Sequence, residues 1–410
     1  MGTDDIDARE AAGTRSELFA QWDELTVAQL RAKGAMKWSM YPDRIGAFVA
    51  EMDFPVAQPI LDALHGAVEA QAFGYLPAAM SGEMSAAFAD FARERYGWQP
   101  DPADVHPAAD VIAGLTTAIE YYSTPGSAVV VPTPAYMPFL TVPGQCARDV
   151  IEVPLVDEGG RYSYDLEALE RALAVPGQLL VLCNPHNPVG RVLARQELLA
   201  IAEVVDRCGA RVFADEIHAP LVYPGSAHIP YASLNEVTAG HTITAASASK
   251  AWNTPGLKCA QIVVSNPADA QIWSQAAGVP TEHGAANLGV VAATAAYRHG
   301  AQWLSDVLDY LDGSRKMLGD LISQHLPGVR YVPPEGTYLA WLDCRDLGLG
   351  PSPADFFYDH ADVALIDGAR CGEAGRGFVR YNFATPRPIM EQTIAAMGRA
   401  LDNRRALDNR

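Results

Sequence analysis

The sequence predicts an α/β protein: a mainly parallel sheet flanked by helices in a large domain, joined to a smaller α+β domain. Three observations carry that reading. Short unbroken apolar runs recur at 127–131, 178–183, 210–214, 241–246 and 261–264, with helical patterning between them. Runs of that length without polar alternation are strands buried on both faces, as in parallel sheets. Four of the runs are followed within a few residues by a polar side chain, in order Tyr136, Asn184, Asp215 and Lys250, and ligands of open α/β sheets bind beyond the carboxyl ends of the strands. After about residue 300 the pattern changes to one long helical stretch, strand-like segments broken by Pro and Gly, and a final helix.

Length and composition set the frame. With 410 residues, 49% of them hydrophobic and 19% charged, the chain can bury more than one core. The expected division is 1–56 as an N-terminal arm with part of the small domain, 57–298 as the large domain and 299–410 as the small one. A net charge of −19 argues against nucleic acid or an anionic membrane as partner, since a polyanion would be repelled. The six cysteines contain no C-x-x-C pair and the ten histidines no metal-ligand spacing, so neither a metal nor a disulfide framework is expected. The acidic, polar start does not read as a signal peptide and no apolar stretch reads as a membrane span; the expected location is the cytoplasm.

Taken in order, residues 1–15 are polar and acidic, and 14–33 carries apolar residues at helical spacing, an arm helix. Trp38 and Tyr41, with Phe54 in the stretch 50–55 that also holds Asp53, read as core filler or as the lining of a substrate mouth. A helix is expected over 59–71 with Pro in its first turn, a loop over 73–77 and a second helix over 85–96. Residues 110–120 read as strand passing through Gly114 into helix, where free N–H groups would hold an anion. In the small domain, 302–325 reads as helix, 328–342 and 377–383 as strand, and 389–401 as the last helix. The tail repeats Leu-Asp-Asn-Arg without an assigned role.

Lys250 is the residue around which a function can be built. It follows a buried strand and lies between Ser247, Ser249 and Lys258. A lysine losing its hydration there has a lowered pKa and a nucleophilic amine. The hydroxyls and the second cation suit a phosphate. An amine that attacks an aldehyde, beside a phosphate site, suggests pyridoxal phosphate (PLP). Bland readings stand beside each residue: Asp215 as a helix cap, Asn184 as a turn residue before Pro, Tyr136 and His218 as core, Arg380 as a surface arginine.

The sequence of motifs, a loop aromatic, Asn-Pro-x-Asn-Pro-x-Gly at 184–190, Asp-Glu-Ile-His at 215–218, Ser-x-Ser-Lys at 247–250 and a late arginine, resembles the fold type I PLP-dependent enzymes of aminotransferase class I/II. Lys37-Trp38, Glu51-Met52-Asp53-Phe54-Pro55, Phe73-Gly74-Tyr75 and Ser249-Lys250-Ala251-Trp252-Asn253 are similar to the MalY/PatB branch, the cystathionine β-lyase or cysteine-S-conjugate β-lyase group. The resemblance runs from about residue 35 to near the end; Glu51 departs from the branch pattern. It implies Lys250 as the Schiff-base lysine and general base, Asp215 on the pyridine nitrogen, Asn184 and His218 at the phenolic edge, and Tyr136 stacked on the ring. The phosphate would meet Ser247, Lys258 and the backbone of Leu115 and Thr116, with Tyr75 reaching over from the second subunit of a homodimer. Arg380 would clamp the carboxylate of a small amino-acid substrate, with Asp53, Trp38 and Tyr41 also lining the substrate site. The implied reaction is β-elimination from L-cystathionine or another S-substituted cysteine. The alternatives are transamination and, less favoured, a PLP-binding regulatory protein with weak catalysis.

Overall fold

The computed structural model describes residues 15–408. The polar lead up to residue 14 and the end of the repeated tail lie outside the described residues. Seven strands form the large sheet: β1 (Val105–Ala108), β2 (Val129–Thr133), β3 (Val150–Pro154), β4 (Leu179–Cys183), β5 (Arg211–Asp215), β6 (Thr242–Ala246) and β7 (Ala260–Val264). Their spatial order is β1-β7-β6-β5-β4-β2-β3. The block from β6 to β3 is parallel throughout, whereas β7 runs antiparallel to both β6 and β1. The sheet is therefore mixed and mostly parallel. Between β6 and β7 stand only a four-residue helix (Ala248–Ala251) and a tight turn, so no long helical crossover returns the chain in the parallel sense.

The strand alternation explains the two covering layers. Val129, Val131, Leu179, Val181, Phe213, Ile243 and Ile262 point to one face and bury against helix α1 (Val111–Tyr121) through Leu115, Ala118 and Ile119. Val130, Leu180, Leu182, Val212 and Ala214 point to the other and meet helix α2 (Arg195–Arg207) through Leu198, Ile201, Ala202 and Val205. Those four helix residues follow the spacing that puts side chains on one face.

The smaller sheet holds β8 (Arg330–Tyr331), β9 (Leu339–Asp343), β10 (Ile366–Asp367) and β11 (Phe378–Asn382), in the antiparallel order β8-β9-β11-β10. One face packs through Ala340, Leu342, Val379 and Tyr381 on helices α3 (Ala301–His325) and α4 (Arg387–Asp408). Since successive strand side chains alternate, Trp341, Phe378 and Arg380 turn to the opposite face, toward Phe48 and Val189. Ile45–Gly46 pairs in parallel with Val363–Ala364, so the N-terminal segment enters the structure beside this sheet.

Several expected boundaries are corrected. The arm is two helices, 15–23 and Val27–Lys33, because Thr26 caps the second, its hydroxyl accepting the Gln29 N–H while the Gln29 side chain accepts the Thr26 N–H. The helix expected at 85–96 begins at Ala78, directly after Pro77. The expected strand at 110–113 is helix: Asp110 is the N-cap of α1, its carboxylate accepting the Ala113 N–H at 2.9 Å, and the strand lies upstream at β1. Gly114 is inside α1, where a Cβ would stand 2.4 Å from Ile262 Cδ1; its smallness lets the helix approach β7. Helix α4 runs on past the expected end at 401 and takes in the first Leu-Asp-Asn-Arg. Among the described residues, no helix is long and apolar enough to cross a membrane, and no cluster of His, Cys, Asp and Glu could hold a metal.

Candidate active site

The carboxyl ends of β4, β5 and β6 lie side by side, and backbone hydrogen bonds continue past them. The Asn184 N–H donates to the Asp215 carbonyl at 3.0 Å and the Glu216 N–H to the Ala245 carbonyl at 2.8 Å. Asn184, Asp215 and the Ser247–Lys250 turn are thereby held in one frame. Tyr136 follows β2 and precedes the helix Met137–Gln145, half-buried, its ring edge-on to Phe139 with centroids 5.4 Å apart.

Lys250 lies on the helix Ala248–Ala251, and its Nζ donates to the Ala50 carbonyl at 2.8 Å. Burial of the ammonium, then the cationic Arg380 nearby, bring its pKa down to about 8; Glu51 and Asp215 act in the opposite sense. Burial pushes the Asp215 carboxyl up to about 7, although its Oδ1 accepts the Ile217 N–H at 3.0 Å. His218, buried and facing Lys250 and Arg380, is held neutral, with a pKa down to about 3. Arg380 is buried in mid-strand, donating to the Phe48 carbonyl at 2.9 Å and to Asn187 Oδ1 at 3.1 Å.

These residues fit PLP on an observation independent of any likeness. Asn184 Oδ1 accepts the Leu193 N–H at 3.0 Å, which fixes the amide so that its Nδ2 is the free end. Among the described residues, Asn184 Nδ2, His218 Nδ1 and Arg380 Nε are buried without a hydrogen-bond partner. Buried donors left unpaired are costly, and ligand atoms can pair them. Asp215 likewise makes no ion pair among the described residues, and a protonated pyridine nitrogen would supply one.

The phosphate corner differs in part from expectation. Ser247 caps the lysine helix, its Oγ donating to the Cys259 carbonyl at 2.7 Å, and Lys258 holds a left-handed backbone (φ 54°). Leu115 and Thr116 are the fifth and sixth residues of α1, so their N–H groups are consumed by the helix's own ladder. The unladdered donors are those of Val111 and Ile112. Lys258 Nζ meets Asp110 Oδ2 at 2.9 Å. Although partial burial works the other way, hydrogen bonds from Lys258 and from Ala113 hold the Asp110 carboxyl below its usual range.

Asp53 and Trp38 meet one another directly. Asp53 Oδ2 accepts from Lys37 Nζ at 2.8 Å and Oδ1 from Trp38 Nε1 at 2.7 Å, all of them buried. Both oxygens have internal partners, so this constellation ties the arm to the body. Tyr41 packs edge-on against Phe48 and Tyr358, one residue layer from Arg380. Tyr75 is 100% exposed, outside anything its own chain brings to the site.

Two residues were absent from the sequence-based set. Tyr338 donates from its hydroxyl to the same Ala50 carbonyl that Lys250 meets, at 2.9 Å, and its ring faces His218. It lies just before β9 with no spacing that marks it. Asn187 orients Arg380; the Asn-Pro-x-Asn-Pro motif was the signal for it.

This fold, with a strand-end lysine, acid and asparagine, is that of fold type I PLP-dependent enzymes. The chain belongs to the aminotransferase class I and II family, whose pattern matches residues 51–396. Within it, the chain is 36% identical to a Corynebacterium glutamicum cystathionine beta-lyase over 91% of this chain and 98% of that protein. A Corynebacterium diphtheriae structure, provisionally named a PLP-dependent beta-cystathionase, superposes with a TM-score of 0.86 at 39% identity, covering 92% of this chain and 98% of that one. The PLP-bound C-S lyase of Staphylococcus hominis gives 0.85 at 28% identity, covering 93% and 97%.

Proposed function

We propose that this chain is a PLP-dependent carbon–sulfur β-lyase that cleaves L-cystathionine or another S-substituted L-cysteine to a thiol, pyruvate and ammonia. The observation that carries the chemistry is the pairing of a Lys250 amine with a pKa near 8 and an Asp215 carboxyl near 7 at adjacent strand ends. When bound, PLP supplies an electron sink for negative charge developing at the substrate Cα. Arg380 receives the substrate carboxylate in its fork, using the Nε that has no partner among the described residues. Lys250 Nζ takes the proton from Cα as general base, its lowered pKa leaving much of the amine neutral near pH 8. With PLP bound, Asp215 would hold the proton on the ring nitrogen and Asn184 Nδ2 would donate to the phenolic oxygen. The electron pair released at Cα expels sulfur from Cβ, and the proton held by Lys250 is available to the departing thiolate. The three-carbon remainder hydrolyses to pyruvate and ammonia.

Elimination is preferred to amino-group exchange because relatives named as lyases match over almost the full length. We further propose residues 1–56, 57–298 and 299–410 as arm with part of the small domain, cofactor domain and small domain, a cytoplasmic homodimer, and Tyr75 contributed across the interface to the phosphate. The purified holoprotein with L-cystathionine and no added 2-oxo acid is expected to release pyruvate. A protein that releases none, yet exchanges amino groups with 2-oxoglutarate or pyruvate, is an aminotransferase.

A further inference from the structure

The segment from Asn184 to Leu193 is clamped from outside by a strap, residues 334–337, that leads into Tyr338 and β9. The Gly190 carbonyl accepts the N–H of Glu335 at 2.8 Å and that of Gly336 at 3.0 Å. The approach is close: Gly190 has a φ of 73°, and a Cβ there would lie 2.2 Å from Pro334 Cβ. On its far side the strap is fixed by the stretch 221–223. The Thr337 N–H donates to the Leu221 carbonyl at 2.8 Å, and the Tyr223 N–H donates to the Glu335 carbonyl at 3.0 Å. The Glu335 carboxylate closes the clamp. Its Oε2 accepts the Val192 N–H at 2.8 Å, and both of its oxygens accept from Arg191 Nη1, at 2.6 and 2.8 Å. Arg191 is buried, and its remaining nitrogens donate to the Tyr162 carbonyl and to Glu197 of α2. The exposed Arg161 pairs with the same Glu335 carboxylate at 3.1 Å.

Val192 and Leu193 are consecutive, and their N–H groups part company. That of Val192 goes to Glu335, and that of Leu193 goes to Asn184 Oδ1 at 3.0 Å. The second bond decides which end of the Asn184 amide is free. Without the Glu335 carboxylate, the Val192 N–H and a buried guanidinium both lose an acceptor. Groups left unpaired in that way are more costly than the bonds they made. The backbone at 191–193 must then shift toward other acceptors, and the Leu193 N–H shifts with it. We infer that Glu335 is a positioning residue for the cofactor site: by holding 190–193 it fixes the direction in which Asn184 presents Nδ2. It acts through Asn184 and not on the substrate. The inference rests on the placement of Asn184 at the phenolic oxygen of PLP, and it holds equally for a lyase or an aminotransferase.

The test reads the absorbance of the bound cofactor against pH, with no substrate present. A donor on the phenolic oxygen competes with the proton of the Lys250–PLP imine for the same lone pairs. Loss of that donor lets the imine keep its proton to higher pH. Asn184→Ala holoprotein is therefore expected to titrate about one pH unit above the wild type. Glu335→Ala is expected to move the midpoint the same way, by roughly half as much or more, and to add nothing in the Asn184→Ala background. Arg161→Gln, which removes only the exposed partner of Glu335, is expected to keep the wild-type midpoint. In the cofactor-free protein, Glu335→Ala is expected to speed amide exchange across 190–193. If Glu335→Ala does not fold, Glu335→Gln, of equal size and without the charge, enters the same comparison with the same sign. A midpoint unmoved by the Glu335 substitution overturns the inference, as does an equal rise with and without Asn184. A wild-type midpoint in Asn184→Ala itself overturns the placement of Asn184 and the inference with it, while leaving the lyase reading intact.

Discussion

A lysine amine titrating near 8 is the residue-level property on which the chemistry depends, and its causes can be separated. Burial is the largest, Arg380 second, with Glu51 and Asp215 opposing them. In the cofactor-free protein, reaction of the Lys250 amine with an acylating reagent, followed by peptide mapping across pH, is expected to show a midpoint near 8, against about 10.4 for a free lysine. Arg380→Met removes a neighbouring positive charge, so the ammonium becomes easier to keep and the midpoint rises. A midpoint near that of free lysine in the wild type, or one unmoved by Arg380→Met, contradicts this account. Residue placement was legible where a strand end dictated direction, as for Asn184, Asp215 and Lys250. They were not legible where the partner is distant in sequence. Nothing in the order of residues says that Asp53 faces Lys37 and Trp38, or that Tyr338 reaches back to Ala50.

Elements matter here as props for those residues. Helix α5 (Asn287–His299) packs on the turn that presents Lys258, and it can do so because residue 289 is glycine: a Cβ there would lie 2.1 Å from the Leu257 carbonyl oxygen. Backbone cannot yield as a flexible side chain can, so Gly289→Ala must shift the 255–258 turn. The expected cost is about 1–3 kcal/mol in denaturant unfolding, together with weaker PLP retention on dialysis. A destabilised protein that keeps PLP as tightly as the wild type would place the damage away from Lys258. The same logic explains what sequence patterning missed. Gly114 was read as a turn because glycine marks turns; here glycine serves close approach to β7, a property of tertiary packing. The arm was read as one helix because apolar spacing continues through 24–26, whereas the Thr26 capping box starts a new helix there. The five central runs of the large sheet, β2, β4, β5, β6 and β7, were found to within a residue or two because full burial leaves an unbroken apolar stretch, whereas β3 is largely uncovered and left no such run.

For the whole molecule, the alternation of strands and helices sufficed for a large α/β layer and a smaller sheet, while the strands β1 and β3 and the reversal of β7 lay beyond periodicity. What one chain does not supply is a neighbour for Tyr75, a bulky aromatic left wholly in solvent beside the likewise exposed Phe73. Large exposed aromatics mark interaction surfaces. If Tyr75 completes the phosphate corner of a second copy, two differently damaged chains must repair one another. Tyr75→Ala chains carry Lys250 but offer their partner no tyrosine; Lys250→Ala chains carry the tyrosine but no catalytic amine. In a two-fold dimer of one of each, one site is whole and the other is doubly damaged. Random reassociation of equal amounts makes half the dimers mixed, with one good site in each. At limiting PLP the mixture is expected to regain roughly a quarter of wild-type pyruvate release, well above either variant alone. A mixture no more active than the mean of the separate variants, with subunit exchange verified by mass, would put Tyr75 outside the partner's site.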